Sequence, residues 1–67
     1  MLDIQVNGES RRFESQLNVY QLLERLELVG KKVAVERNGE IVSRSRYAAT
    51  PLASGDQLEI VVAVGGG

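Results

Sequence analysis

The fold is decided by residues 2–28, LDIQVNGESRRFESQLNVYQLLERLEL, in which the spacing of the apolar side chains changes once. Leu2, Ile4 and Val6 alternate with polar residues, a pattern typical of a strand with one buried face. From Val19 onward the apolar residues recur at intervals of three and four, which is typical of an amphipathic helix. The stretch therefore predicts a strand region followed by one helix.

The dipeptide Asn7-Gly8 divides the first strand from a second one. Both residue types tolerate a positive φ angle, so the pair predicts a two-residue type I′ hairpin turn. The returning strand is predicted over residues 10–14. It carries Arg11 and Arg12, and such charges are common on strands that form the edge of a sheet.

The helix has signals at both of its ends. Asn18 is a suitable cap for the first turn, and Gln21 follows three residues later, as a capping box requires. The helix is predicted to end near Leu28, with Gly30 taking the left-handed conformation that closes many helices.

A second hairpin is predicted in the middle of the chain. Residues 33–37 and 40–42 read as strands, and Asn38-Gly39 is the turn between them. An irregular connection is expected over residues 43–57. A long connection in a small domain must pack on the core. We therefore expect three of its side chains to point inward, those of Tyr47, Ala48 and Leu52.

The last predicted strand covers residues 58–62. Leu58, Ile60 and Val62 fall on one face by the two-residue period of a strand and are expected to pack under the helix, whereas Glu59, Val61 and Ala63 fall on the other. The predicted order is hairpin, helix, hairpin, irregular loop and final strand. A single helix can bury its apolar stripe only by crossing one face of a sheet built from all the strands, so the fold class is α+β.

Composition excludes several classes of protein. The chain has 67 residues, with eight basic and nine acidic side chains and neither cysteine nor histidine. One domain over residues 1–67 is expected, with a flexible C-terminal tail from about residue 63. Disulfides are absent, and the commonest general base and zinc ligands are missing. We expect a monomer in the cytoplasm that binds neither nucleic acid nor membrane and carries out no catalysis by itself.

Three arginines lie close together in the sequence, at Arg37, Arg44 and Arg46. One interpretation is a small basic patch that docks a protein partner. The other is a polar rim in which these residues form local ion pairs with Glu36 and Glu40.

The last three residues are Gly65, Gly66 and Gly67, directly after a strand of the predicted core. They are either an idle, frayed end or a slender working segment, since glycine has no side chain and fits a narrow tunnel. An α-carboxylate at Gly67 is ionised at neutral pH. Such a carboxylate can attack the α-phosphate of ATP, and the resulting acyl-adenylate accepts sulfur or an amine.

The ordered set of motifs resembles the ThiS family, the ubiquitin-like β-grasp sulfur carriers of thiamine biosynthesis. The resemblance covers the whole chain. It rests on the first turn with Glu9, the Leu22-Leu23 helix, the second hairpin, and two closing motifs. Those motifs are Gly55-Asp56-Gln57-Leu58-Glu59-Ile60-Val61 and Val64-Gly65-Gly66-Gly67.

The resemblance implies a mixed five-stranded sheet of order 2-1-5-3-4, with the last strand central and parallel to the first. It implies that Gly67 is adenylated by an E1-like adenylyltransferase (ThiF type) using MgATP and is then converted to a thiocarboxylate. Sulfur would come from cysteine through a desulfurase and pass to thiazole synthase (ThiG type). The chain itself would bind no cofactor or metal and would act as a co-substrate.

The resemblance also directs attention to the surface around the glycines. Val61, Ala63 and Val64 are the predicted docking residues, because the first two lie on the sheet face that the helix leaves uncovered. Three alternatives stay open for the function. They are a carrier of the molybdopterin type, a ubiquitin-like modifier joined to lysines, and a β-grasp interaction module without a chemical role.

Overall fold

The computed structural model describes residues 1–63, in which the five predicted strands and the predicted helix are all present. A 3₁₀ helix is present in addition. The elements in chain order are β1 (Leu2–Val6), β2 (Glu9–Phe13), α1 (Val19–Arg25), β3 (Val33–Arg37), β4 (Glu40–Val42), the 3₁₀ helix (Arg44–Ala49) and β5 (Gln57–Val62).

Both hairpins turn at an asparagine-glycine pair, as predicted. Asn7 and Gly8 have φ angles of 52° and 83°, and Asn38 and Gly39 have φ angles of 53° and 85°. Two consecutive positive φ angles define a type I′ turn, whose twist matches that of the flanking strands. The turns therefore fix the pairing of β1 with β2 and of β3 with β4.

The sheet has the order β2-β1-β5-β3-β4, which confirms the β-grasp arrangement implied by the resemblance. β5 lies in the centre, parallel to β1 and antiparallel to β3. The charged strand β2 is an edge of the sheet, as its two arginines predicted. Because β5 has a strand on each side, its position is held by hydrogen bonds from both halves of the chain.

The core lies between α1 and one face of the sheet. Alternate residues of β1, and Leu58 and Ile60 of β5, are buried, which confirms the strand parity read from the sequence up to Ile60. Val62 was expected to be buried with them, and that expectation is wrong: it is the last residue of β5, is 40% exposed and does not pack on the core. Asn18 caps α1 through the predicted capping box: its side chain accepts from the Gln21 amide at 2.8 Å, and the Gln21 side chain accepts from the Asn18 amide at 2.9 Å. The buried apolar residues are Leu2, Ile4, Val6, Leu17, Val19, Leu22, Leu23, Val35, Tyr47, Leu52, Leu58 and Ile60.

The predicted end of the helix is wrong by three residues. α1 ends at Arg25, and Glu27, not Gly30, adopts the left-handed conformation that closes it, with φ of 60°. The Leu28 amide donates to the Leu23 carbonyl at 2.8 Å, and the Glu27 amide donates to the Glu24 carbonyl at 3.1 Å. This pair of bonds is a Schellman motif, and Gly30, with φ of 88°, belongs to the next turn.

The connection between β4 and β5 contains the 3₁₀ helix, which the sequence pattern did not predict. Tyr47 and Leu52 are buried, as expected, but Ala48 is exposed and that expectation is wrong. In a 3₁₀ helix side chains three residues apart share a face, so only one side chain of this short helix reaches the core. Neither helix within residues 1–63 is long and apolar enough to cross a membrane.

Candidate functional site

The predicted docking residues Val61 and Ala63 lie on the sheet face that α1 leaves uncovered. Val61 is 64% exposed, and Ala63 is exposed as well. Ala34 of β3 is paired with Val61 across the strands and is also exposed. We call the surface formed by Ala34, Val61 and Ala63 the apolar patch.

The remaining predicted site residues follow the patch in the sequence. Val64, Gly65, Gly66 and Gly67 lie outside the described residues. The structure therefore describes the base from which this segment continues. At that base the Ala63 amide donates to the Lys32 carbonyl at 2.8 Å, which extends the pairing of β5 with the β3 side by one residue.

A shallow cavity of about 310 Å³ surrounds the patch. Its floor is aliphatic, because the three patch residues and Val33 line it. Lys32 and Arg44 complete its lining, so two cationic groups border the apolar surface. A partner that covered this surface would remove water from a small apolar area with positive charge at its margin.

Asn7 fixes β5 just before the patch, a role that the sequence analysis missed. Its side-chain Nδ2 donates to the Ile60 carbonyl at 3.0 Å, and its Oδ1 accepts from the Ile60 amide at 2.8 Å. The main-chain bonds between β1 and β5 end where the Asn7 main-chain amide donates to the Leu58 carbonyl at 2.9 Å. The side-chain amide of Asn7 then continues the pairing to Ile60. The type of turn could be predicted from Asn7-Gly8, whereas this long-range contact depends on the register of β5 against β1.

A polar cluster fixes the other end of β5. Asp56 is 6% exposed, and its carboxylate accepts hydrogen bonds from the Arg37 Nε at 2.8 Å, the Asn38 Nδ2 at 3.0 Å and the Ala53 amide at 2.9 Å. Burial by itself disfavours the charged carboxylate, but these hydrogen bonds and the Arg37 charge outweigh it. The pKa of Asp56 is therefore held below its ordinary value.

The three arginines singled out in the sequence do not act as one group. Arg37 pairs with Asp56, and none of the three ion pairs within residues 1–63 includes Glu36 or Glu40, so the predicted local pairs are wrong. Arg44 borders the patch, while Arg37 and Arg46 both line a separate shallow cavity together with Glu40. Among residues 1–63, no cluster of three Asp or Glu side chains is arranged to hold a metal ion.

Comparison with known proteins gives the chain its relatives. The sequence model of the ThiS family matches residues 4–67. A thiazole synthase of Paramagnetospirillum magneticum is 50% identical over 62 residues, which are 92% of this chain and 19% of that protein. This chain thus spans about a fifth of that relative's length.

Two further relatives match along their whole length. The sulfur carrier protein ThiS of Bacillus subtilis is 40% identical over 65 residues, covering 96% of this chain and 98% of that protein. The crystal structure of the thiamine biosynthesis protein ThiS of Geobacter metallireducens superposes with a TM-score of 0.83 at 35% identity, covering 98% of this chain and all of that one. The family model, the sequence match and the structural match each cover more than nine tenths of this chain, and the protein belongs to the ThiS family.

Proposed function

We propose that this chain is a sulfur carrier protein of thiamine biosynthesis. The observation that carries the proposal is the match to the Bacillus subtilis sulfur carrier protein ThiS over 98% of that protein. The fold supports it, because the C-terminal end of the central strand β5 leads into Ala63, and the three glycines begin two residues after Ala63 in the sequence.

The proposed chemistry takes place at Gly67 and uses the α-carboxylate of the chain. A carboxylate oxygen attacks the α-phosphate of ATP in the active site of an E1-like adenylyltransferase, and pyrophosphate leaves. The desulfurase holds sulfur from cysteine as a persulfide, and this sulfur bonds to the carbonyl carbon of Gly67 as the bond to AMP breaks. A thiol, such as excess cysteine, then reduces the resulting acyl disulfide and leaves in a new disulfide, which releases the thiocarboxylate. Gly65 and Gly66 contribute a segment without side chains, which suits a narrow active-site channel.

The proposed acceptor of the sulfur is thiazole synthase. Support comes from the Paramagnetospirillum magneticum thiazole synthase, in which a region 50% identical to this chain occurs within the same polypeptide. Two proteins that must associate gain from being joined in one polypeptide, because each then meets the other at a high effective concentration. The joined arrangement in this relative therefore supports an association between this chain and thiazole synthase. In this role the chain is a co-substrate of both enzymes and carries no active site of its own.

Partner docking is proposed at the apolar patch together with Val64. Val61 lies near the end of β5 and Ala63 directly after it, with only Val64 between Ala63 and the glycines in the sequence, so an enzyme that holds the patch also receives the segment that leads to Gly67. The aliphatic floor and the flanking Lys32 and Arg44 give the contact both an apolar centre and a charged margin.

Intact-mass spectrometry tests the chemistry directly. The chain is incubated with purified adenylyltransferase, MgATP, cysteine and a cysteine desulfurase, and we expect a mass gain of about 16 Da as sulfur replaces oxygen. The matched controls omit ATP or use Gly67→Val, and we expect neither to gain mass. Unmodified protein in the complete reaction would contradict the proposal. A conjugate to a lysine would instead identify a ubiquitin-like modifier.

A further inference from the structure

A second cavity lies on the helix side of the molecule, between α1, the loop that follows it and the 3₁₀ helix. Its volume is about 280 Å³. Leu23 and Tyr47 are its buried residues, while Tyr20 and Val29 stand at its mouth with 41% and 45% of their surface exposed. We call it the tyrosine cleft.

The cleft is preformed, because main-chain hydrogen bonds fix the loop that makes one of its walls. The Schellman motif orients Leu28 toward the core, and the Lys31 amide donates to the Leu28 carbonyl at 3.1 Å. Gly30 provides the positive φ that this second turn requires. Val29 is thereby held at the surface, at the mouth of the cleft.

The charged residues that line the cleft are of one sign. Lys31 and Arg44 line it, and none of the nine acidic residues of the chain does. Neither cation takes part in the ion pairs within residues 1–63. The whole chain has a formal net charge of −1, so this positive margin is a local feature that is opposite in sign to the net charge.

The size of the cleft indicates what it holds. Pockets that enclose a whole cofactor or drug-sized ligand are usually about 300–1,000 Å³. The tyrosine cleft lies just below that range and is open on one side, so it suits one or two side chains of a partner. Two exposed apolar walls with cations at the margin complement an apolar side chain flanked by carboxylates.

We propose that the tyrosine cleft binds a short acidic segment of a protein partner. One aliphatic or aromatic side chain of that segment inserts between Tyr20 and Val29, and neighbouring Asp or Glu side chains face Lys31 and Arg44. This surface is separate from the apolar patch, although Arg44 and Val33 line both cavities. The binding uses no chemistry at Gly67.

The experiment is a selection of binders from a displayed library of random twelve-residue peptides, with the intact chain as the target. We expect enrichment of peptides that combine one bulky apolar residue with two or more acidic residues. The best peptide is then synthesised with a fluorophore, and its Kd is measured by fluorescence polarisation.

The variants locate the binding site. Lys31→Glu and Tyr20→Ala are each expected to weaken binding of the peptide about tenfold, since the first reverses a charge that faces the acidic residues and the second removes one of the two apolar walls at the mouth. Lys32→Glu is the matched control: it makes the same charge change one residue away, on the side of the apolar patch, and is expected to change Kd less than about threefold. Ile41→Ala, at a residue that is 78% exposed and distant from the cleft lining, is the apolar control.

Three outcomes would overturn the proposal. The first is that the selected peptides share no combination of acidic and apolar residues. The second is that Lys31→Glu and Lys32→Glu change the Kd of the peptide equally. The third is that Val61→Asp abolishes binding of the peptide while Tyr20→Ala does not. Circular dichroism melting of every variant shows whether lost binding reflects lost folding. The selection uses neither ATP nor sulfur, so its failure would leave the proposed sulfur-carrier function untouched.

Discussion

Asn7 illustrates how one side chain serves both a turn and the sheet beside it. Its positive φ suits the hairpin, and its amide group occupies both hydrogen-bonding groups of Ile60 at 2.8 and 3.0 Å. A carboxylate in this place would keep an acceptor but would lose the donor to the Ile60 carbonyl. The identity of the residue as asparagine, and not aspartate, is therefore set by β5.

Replacing Asn7 by aspartate is expected to lower the free energy of unfolding by about 1–3 kcal/mol, because a part-buried carbonyl loses its donor and faces an anion. Urea denaturation at neutral pH measures this change. Gln57→Glu is the matched control, since it makes the same amide-to-acid exchange on an exposed side chain and is expected to cost less than about 0.5 kcal/mol. Equal losses in the two variants would show that added negative charge, and not the Ile60 contact, is responsible.

Asp56 makes stability depend on pH in a defined direction. Its folded-state pKa lies below the ordinary value, so the folded protein binds the proton less readily than the unfolded chain does. The resulting stabilisation is present in full above the unfolded pKa of about 4 and is lost as the pH falls through the folded pKa. Neutral conditions are therefore expected to lie on the stable side.

Asp56→Asn is expected to cost about 1–3 kcal/mol at pH 7, since it removes a charged acceptor from Arg37 and from the Ala53 amide. It is also expected to flatten the decline in stability below pH 4. Urea denaturation between pH 2.5 and 7 measures both effects. Asp3→Asn is the control, because Asp3 pairs with Arg12 at an exposed position and should contribute less than about 1 kcal/mol. A wild-type decline that persists undiminished in Asp56→Asn would contradict the assignment.

The contacts that Asn7 makes with β5 and that Asp56 makes just before β5 could not be predicted from the sequence. The Asn-Gly turns follow from local conformational preference and were predicted correctly. Asn7 bonds to a residue 53 positions away, and Asp56 bonds to Arg37 at a separation of 19. Such contacts require the strand register, which hydrophobic spacing restricts only to the correct face.

At the scale of elements, the strands and the start of α1 were predictable because each has a local signal. The end of α1 was not, since Leu26 and Leu28 continue the apolar spacing after the helix has ended and pack on the core from the loop. The 3₁₀ helix was missed for the opposite reason. Its sequence, Arg44–Ala49, brings only Tyr47 into the core and shows no apolar period.

Glu27→Gly is expected to stabilise the protein by about 0.5–1 kcal/mol. A left-handed conformation costs a residue with a β-carbon about 1–2 kcal/mol, and relief of that cost exceeds the entropy that glycine loses on folding. Glu24→Gly makes the same exchange within α1 and is expected to destabilise by about 0.5–1 kcal/mol. Thermal and urea denaturation of the two variants measure the opposite signs. Destabilisation by Glu27→Gly would show that the Glu27 side chain contributes a contact that outweighs its backbone strain.

At the scale of the whole molecule, the single helix leaves one face of the sheet in contact with solvent. That face is polar where β2 and β1 meet, with Asp3 paired to Arg12. Along β3 and β5 it is apolar only at the end where Ala34 pairs with Val61, because the next pair on this face is Glu36 with Glu59. The sequence predicted this difference through strand parity, because Val61 and Ala63 alternate with the core residues of β5. The cations beside the patch were not predicted, since Arg44 reaches it from the unpredicted 3₁₀ helix.

The uncovered face allows the docking role of the apolar patch to be tested apart from folding. Val61 is 64% exposed, so Val61→Asp is expected to change the free energy of unfolding by less than about 1 kcal/mol. The same variant places an unpaired charge at the centre of the proposed contact and is expected to slow adenylation of the chain about tenfold or more. Pyrophosphate release by the purified adenylyltransferase measures the rate.

Gln5→Asp is the matched control for that variant, because it introduces the same side chain on the same face but at the polar end, beside Ser10 and Gln57. If the patch is the contact, adenylation of Gln5→Asp proceeds at nearly the unmodified rate while that of Val61→Asp falls. If both rates fall equally, the enzyme responds to the charge of the whole face, and if neither falls, the enzyme docks elsewhere. At physiological ionic strength the Debye length is about 8 Å, so the field of each added charge acts mainly at its own end of the sheet. The comparison therefore separates a local apolar contact from a diffuse electrostatic one.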